Sequence, residues 1–327
     1  MSISSERTRA YGYLALAMAT VGSIVPATKV IAGALPPFLA GALRLAVAAV
    51  ILIPWAASRP REARVGRQDR HDKALLALQA AAGTVGFTVL MILGTARTSA
   101  VDASLVAGSL PLVAGLVSML LLGERPGRRL LLGIALAAGG LSVVNLPALA
   151  SGGGPRPDRL LGNGLVLGAV VSESLFILLN KRLHQPLPPL TQSATMTCLG
   201  LFYLLPLALM EGRGFHFEAV SASVWIAVAY YGLVPTVLGF VWWYKGAERV
   251  SGAEAGVLTA VMPVSGASLS ALVLGEAFGV HHVVGLSLVV AAIVLAARSP
   301  EPKGAAVATP RPAAGGEAPA PSGRPEA

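Results

Sequence analysis

Polar residues punctuate this chain at short intervals. Between them run apolar stretches at about 11–33, 36–57, 74–95, 99–122, 129–148, 160–180, 189–210, 222–244, 252–275 and 279–297. Each approaches the ~20 residues an α-helix needs to cross a ~30 Å hydrocarbon layer at ~1.5 Å per residue. The runs are continuously apolar and rich in Ala, Leu and Gly, whereas barrel strands alternate over about ten residues. The pattern predicts an all-α integral membrane protein with ten transmembrane helices. The first run is longer than a signal-peptide core and no hydrophilic mature domain follows it, so it reads as a retained helix.

The pattern also occurs twice. An ungapped shift of 152 positions lays Lys29 on Lys181, Pro36-Pro37 on Pro188-Pro189, Pro54 on Pro206, Arg97 on Arg249, Asp102 on Glu254, Pro111 on Pro263 and Gly123-Glu124 on Gly275-Glu276. The expected organisation is one five-helix repeat over 11–148, an external linker over 149–159 and a second repeat over 160–297. Five is odd, so the second copy enters the membrane from the opposite side and the repeats are inverted. Inverted repeats place a binding site near the midplane at their interface, where rocking one unit against the other exposes it to alternate sides.

Composition agrees with this reading. The chain has 327 residues, 54% of them hydrophobic and 13% charged, with a mean hydropathy of +0.70. Its net charge of +9 does not indicate nucleic acid, because the basic residues lie in short gaps between apolar runs rather than on one soluble face. Most of the 25 Lys and Arg fall on one side of the predicted membrane: Arg7 and Arg9, the Arg59–Lys73 loop, Arg125 to Arg129, Lys181-Arg182, Lys245, Arg249 and the C-terminal tail. Arg97, Arg156, Arg159 and Arg213 face the other side. That bias puts residues 1–10 and both termini in the cytoplasm. Orienting the chain accounts for the charge of the Arg59–Lys73 loop without invoking anionic lipid. The Pro-, Ala- and Gly-rich tail over 298–327 is expected to be disordered. Cys198, the single cysteine, excludes an intrachain disulfide and a Cys-based metal site.

Segment four presents Ser104, Gly108, Pro111, Gly115 and Ser118 along one face, matched in segment nine by Gly256, Ala260, Pro263, Ala267 and Ser270. Small residues let helices approach closely in lipid, and each proline removes a backbone donor and kinks its helix near mid-membrane. Such kinks could line a cavity and flex. The stretch Thr98–Leu141, with its TSA start, central SLPL, terminal LLLGER and glycine-rich following helix, resembles the EamA-type branch of the drug/metabolite transporter superfamily. The stretch Val250–Ala296, with VMPV and VLGEAF, is similar to the same domain, as is PPFLAGALRLAVAA at 36–49 with Arg44. This resemblance implies ten helices, cytoplasmic termini, a bacterial inner-membrane location and export of small metabolites or amino acids, often with proton coupling.

Among the acidic residues Glu173 alone lies deep within an apolar helix, and its repeat partner is Val21. A carboxylate at that depth is costly, which marks it as a functional-site candidate for a substrate ammonium or a proton; a buried structural role is the competing reading. Arg44 suits a substrate carboxylate, although a structural pairing or packing role weighs more at its depth. Glu124, Glu276, Asp102 and Glu254 sit at helix ends and read as caps, the last two close to Arg97 and Arg249. Lys29 and Lys181 lie near helix C-termini, where cations are favoured. Ser23, Thr84, Thr88, Tyr231, Trp242, Met262 and Ser265 are the remaining cavity-lining candidates, Trp242 also fitting an interfacial belt.

The expected function is a secondary transporter exporting amino acids or similar metabolites by alternating access. Efflux of hydrophobic cations or drugs is the alternative, and a non-transporting membrane scaffold a more distant one. An enzyme is disfavoured: His281-His282 do not share a helical face, and no HExxH, paired-carboxylate or P-loop pattern occurs. No cofactor or metal is called for; the expected partners are a small-molecule substrate, protons and the bilayer. A monomer and a homodimer are equally compatible with the sequence.

Overall fold

The computed structural model describes residues 3–58, 68–122, 127–150, 157–247, 249–250 and 252–297. The predicted tail, the LGE acid Glu124, residues 59–67 of the basic loop and residues 151–156 of the predicted linker lie outside them. Fifteen α-helices follow one another without a strand among the described residues: α1 (Ile3–Gly22), α2 (Ile24–Ala32), α3 (Pro37–Ala57), α4 (Arg70–Gln79), α5 (Phe87–Thr95), α6 (Ala100–Gly108), α7 (Leu110–Leu122), α8 (Arg128–Ala150), α9 (Pro157–Asn180), α10 (Pro189–Gly212), α11 (Ala222–Leu233), α12 (Gly239–Ala247), α13 (Gly252–Leu258), α14 (Val261–Leu274) and α15 (Val280–Ala297).

Among the described residues six helical stretches are long and apolar enough to cross a membrane, and the α6–α7 pair, bent by 47°, makes a seventh if it is one span. Three shorter apolar helices, Leu131–Val143, Val261–Leu274 and Val280–Leu295, complete the set. The count departs from ten full-length crossings partly because segments four and nine are interrupted. Segment four breaks at Ser109 and segment nine at Thr259-Ala260, each just before its proline, which cannot donate to the carbonyl four residues back. Segment one breaks at Ser23, three residues before Pro26, for the same reason.

Segments three and eight contain a different irregularity, a π-helical stretch, at Ala80–Gly86 and Val234–Leu238. The shift of 152 places Gly86, the last residue of the first stretch, on Leu238, the last of the second, so the irregularity recurs at the same place in both halves. In the second, Pro235 leaves the Tyr231 carbonyl without its helical donor, and the Thr236 hydroxyl supplies one at 2.9 Å. No proline lies in the first; there Gly83 admits Phe176, whose ring would stand 2.4 Å from an added Cβ.

Packing follows the repeat. Segments two and seven pack on each other through α3 and α10, five and ten through α8 and α15, and four and nine through α6 and α14. Segment one packs on eight through α1 and α12, while six packs on three through α9 and α5. Exchanging the halves leaves this set of neighbours unchanged. Close approach at the centre depends on small residues: a Cβ on Gly108 would lie 2.5 Å from Pro263, and one on Gly266 2.8 Å from the Ser104 hydroxyl. Large apolar side chains point outward elsewhere, including Leu272 at 82% and Phe202 at 72% exposure, as a lipid-facing surface requires.

Candidate functional site

A cavity of about 190 Å³ lies where α1, α2, α5, α6, α7, α9 and α14 meet. Its walls are largely apolar, supplied by Val21, Ile24, Val25, Phe87, Met91, Ala107, Leu110, Val170 and Met262, with Gly22 and Ser104. Glu173 on α9 is the single ionisable residue in the lining. Two pairs of lining residues, Val21 with Glu173 and Leu110 with Met262, are separated by the repeat shift. Equivalent points of the two halves therefore converge on the cavity. A larger, open hollow of about 370 Å³ between Gly33-Ala34 and the loop around Phe215 shares none of these lining residues, with His216 its one ionisable side chain.

Beside the cavity, a polar group joins three segments. Arg44 is 7% exposed, donates through Nη2 to the Thr88 hydroxyl and lies with its guanidinium 4.4 Å from the centre of the Tyr231 ring, a cation–π arrangement. Its Nε has no hydrogen-bond partner among the described residues. Arg44 is within electrostatic reach of Glu173, and both act on Tyr231. The Thr88 hydroxyl is held by the Thr84 carbonyl at 2.6 Å. At the α1–α2 break, Ser23 meets the Tyr230 hydroxyl at 2.6 Å.

The candidate residues thus separate. Glu173 and Met262 line the cavity; Arg44, Thr88, Tyr231 and Ser23 belong to the neighbouring polar groups. Thr84 packs toward α10, where a Cβ on Gly200 would meet its methyl at 2.5 Å. Ser265 bonds the Met262 carbonyl and packs against Gly22, and Trp242, half-buried on α12, is outside the cavity lining. Gly108 and Pro263 form the α6–α14 crossing. Pro111 opens α7 as its second residue, and Gly115 lies half-buried further along that helix. Phe87, Met91 and Val170 were not distinguishable in the sequence from any other apolar helix residues.

The helix-end residues have different partners from those their spacing suggests. Glu276 accepts from the Ala100 and Val101 N–H groups, both at 2.8 Å, so it caps α6 in the other half. Lys29 donates to the Thr95 and Thr98 carbonyls at 2.7 and 2.6 Å, closing the C-terminus of α5, whereas Lys181 is exposed. Asp102 does not pair with Arg97, which instead bonds the Leu93 carbonyl. Its carboxylate meets Arg159 at 2.7 Å and His282 at 3.4 Å, because α6 is covered by α9 and α15. Glu254 accepts from the Tyr11 hydroxyl at 2.5 Å.

The EamA-like transporter family model matches the chain twice, at residues 8–146 and 160–298. The chain belongs to the EamA-like transporter family. Among EamA relatives, a Bacillus subtilis (strain 168) protein named "Uncharacterized transporter YetK" is 33% identical over 284 residues, spanning 87% of this chain and 85% of that one. A Streptantibioticus cattleyicolor protein named "Probable terminal-alkyne amino-acid exporter" is 28% identical over 256 residues, covering 77% and 81% of the two chains. A solved crystal structure superimposes with a TM-score of 0.59 at 23% identity, covering 90% of this chain and 97% of its own. It is similar in fold. Family membership and the apolar helices make this a multi-pass membrane protein of the transporter type.

Proposed function

We propose that this EamA protein is a secondary transporter in a bacterial cytoplasmic membrane, exporting amino acids or similar small metabolites by proton-coupled alternating access. Its ten segments form two five-helix halves inverted relative to each other, with both termini cytoplasmic. The observation that carries this reading is Glu173, a single carboxylate in an apolar cavity lined by repeat-related positions. In surroundings of low dielectric constant a carboxylate without a direct ion pair favours either a proton or a cationic group. A substrate ammonium and a proton therefore compete for Glu173, and a proton arriving from outside displaces the substrate outward.

Arg44 supplies the complementary charge. Its unpartnered Nε and fixed stacking on Tyr231 suit it to a carboxylate at the edge of the cavity. An ammonium at Glu173 and a carboxylate toward Arg44 describe an α-amino acid, with the apolar wall receiving its side chain. The breaks at Ser23, Ser109 and Thr259-Ala260 provide hinges between half-helices. The relative named as an amino-acid exporter supports the same substrate class.

Efflux of hydrophobic cations is favoured by one specific observation, the largely apolar lining. Proteoliposomes holding the purified protein, assayed with labelled apolar amino acids and with lipophilic ammonium compounds, distinguish the two. The zwitterion reading expects flux of the former, faster with a pH gradient and lost in both Glu173→Gln and Arg44→Gln. Flux confined to the ammonium compounds and unaffected by Arg44→Gln supports the cation reading. No flux of either class overturns both.

A further inference from the structure

At the far end of α4 from the cavity, four metal-ligating side chains converge. Asp69 caps α4, its Oδ1 accepting the Asp72 N–H at 2.7 Å. His71 and Asp72 lie in the first turn, and His184 comes from the α9–α10 connection. One ligand atom from each of the four lies within 4.8 Å of every other. The imidazoles of His71 and His184 stack with centroids 4.4 Å apart and 12° between planes. Both Nδ1 atoms are turned to the same oxygen: Asp72 Oδ1 is 3.3 Å from that of His71 and 3.9 Å from that of His184. The His184 Nδ1 is also 3.2 Å from Asp69 Oδ2.

These separations are long for charge-assisted hydrogen bonds, which cluster near ~2.7–2.9 Å. Three of the six separations, at 3.2, 3.3 and 3.9 Å, bracket the edge of a tetrahedron with metal–ligand bonds of ~2.0–2.1 Å, about 3.3–3.4 Å, and the others lie within 4.8 Å. Asp72 is fully buried, and its two oxygens accept the His184 and Gln185 N–H groups, each at 3.0 Å. Such outer hydrogen bonds orient a ligating carboxylate before the ion arrives. Asp69, His71 and His184 are exposed, leaving an entry path from solvent. Two imidazoles with two carboxylates suit a borderline divalent ion, whereas Mg²⁺ and Ca²⁺ prefer all-oxygen sets.

We propose that Asp69, His71, Asp72 and His184 bind one divalent transition-metal ion of the zinc class. The ion joins α4 in the first half to the α9–α10 connection in the second. Full-length protein in detergent, purified through a histidine-free tag and stripped with chelator, is titrated calorimetrically with Zn²⁺ and spectroscopically with Co²⁺. The expected result is one Zn²⁺ per chain, tetrahedral-intensity ligand-field bands with Co²⁺, and at least tenfold weaker binding in His71→Gln and in His184→Gln. Unfolding temperatures of the metal-free variants within a few degrees of wild type establish that they fold. Absence of Zn²⁺ binding, or binding unchanged in both variants, overturns the site. So does a stabilisation that appears only on acidification and ignores Zn²⁺, since protonated imidazoles beside the aspartates would then account for the cluster. None of these readouts uses flux, so the transport reading stands or falls separately.

Discussion

Segments one and six occupy equivalent places in the two halves, yet they meet the cavity differently. Segment one is interrupted at Ser23 and brings Val21 to the wall; segment six runs unbroken from Pro157 to Asn180 and brings Glu173 to the equivalent point. The first has Pro26 to force its break, and the second has Leu178 at that position. The cavity lies where repeat-related positions converge, and its single ionisable lining residue stands where the two halves differ. A symmetric pair of carboxylates would repel across so small an apolar space, and a single one can hold a single positive charge.

Removing the charge that distinguishes the halves has the largest expected effect. Glu173→Gln keeps the shape of the side chain, and the lost charged contact, ~1.5–3 kcal/mol, corresponds to about 10- to 150-fold weaker substrate binding. Ligand-induced stabilisation of the purified protein measures this directly. Unchanged affinity and flux in a variant that expresses and unfolds normally would return Glu173 to a structural role.

The break in segment one can be tested next. Gly22 is pressed against α14, so that a Cβ there would lie 2.1 Å from the Ser265 hydroxyl and 2.4 Å from the Met262 carbonyl. Gly22→Ala is expected to cost about 1–3 kcal/mol through overpacking, read as a lower unfolding temperature. Gly164→Ala, on the open side of segment six with no atom within 4 Å of the added methyl, is expected to be neutral or stabilising by up to ~1 kcal/mol. Equal effects at both sites would remove the distinction drawn between the segments.

Much of the architecture was legible in advance because crossing a bilayer imposes a long apolar run on each helix, and all ten runs coincide with helical stretches. The duplicated prolines also announced interruptions in segments four and nine. What the sequence could not display was which ends meet. Glu276 looks like a cap for its own neighbour, but the chain returns it to α6; Asp102 is five residues from Arg97 yet pairs with Arg159. Apolar cavity residues carry no signal of their own, because Phe87 and Met91 would suit any buried helix face. Glu173 was visible for a physical reason: the cost of a carboxylate in that setting makes it conspicuous without knowledge of its neighbours.

Lys29 and Lys181 show that a repeated residue need not repeat its contacts. They match in sequence, but Lys29 binds two carbonyls while Lys181 is exposed. Lys29→Met is expected to destabilise the protein by about 1.5–2 kcal/mol, leaving the α5 carbonyls without their charged donor, and Lys181→Met to stay within ~0.5 kcal/mol. Thermal unfolding in detergent gives both values side by side. A similar loss at each position would mean that the duplication preserved a role as well as a residue.

Glu276 supplies the smallest effect and the clearest contrast with Glu173. Its two backbone hydrogen bonds place negative charge at the positive end of α6, an arrangement worth about 1 kcal/mol. Glu276→Gln retains one acceptor oxygen and loses the charge, so the unfolding temperature is expected to fall modestly while substrate affinity stays within about twofold of wild type. Glu173→Gln is expected to show the reverse, with affinity lost and stability kept. Measuring both quantities in both variants tests whether the repeated acid holds the two halves together while the unrepeated one meets the substrate. If Glu276→Gln instead abolished binding at unchanged stability, the repeated acid would itself be part of the transport chemistry, and departure from the repeat would cease to be a guide to function in this protein.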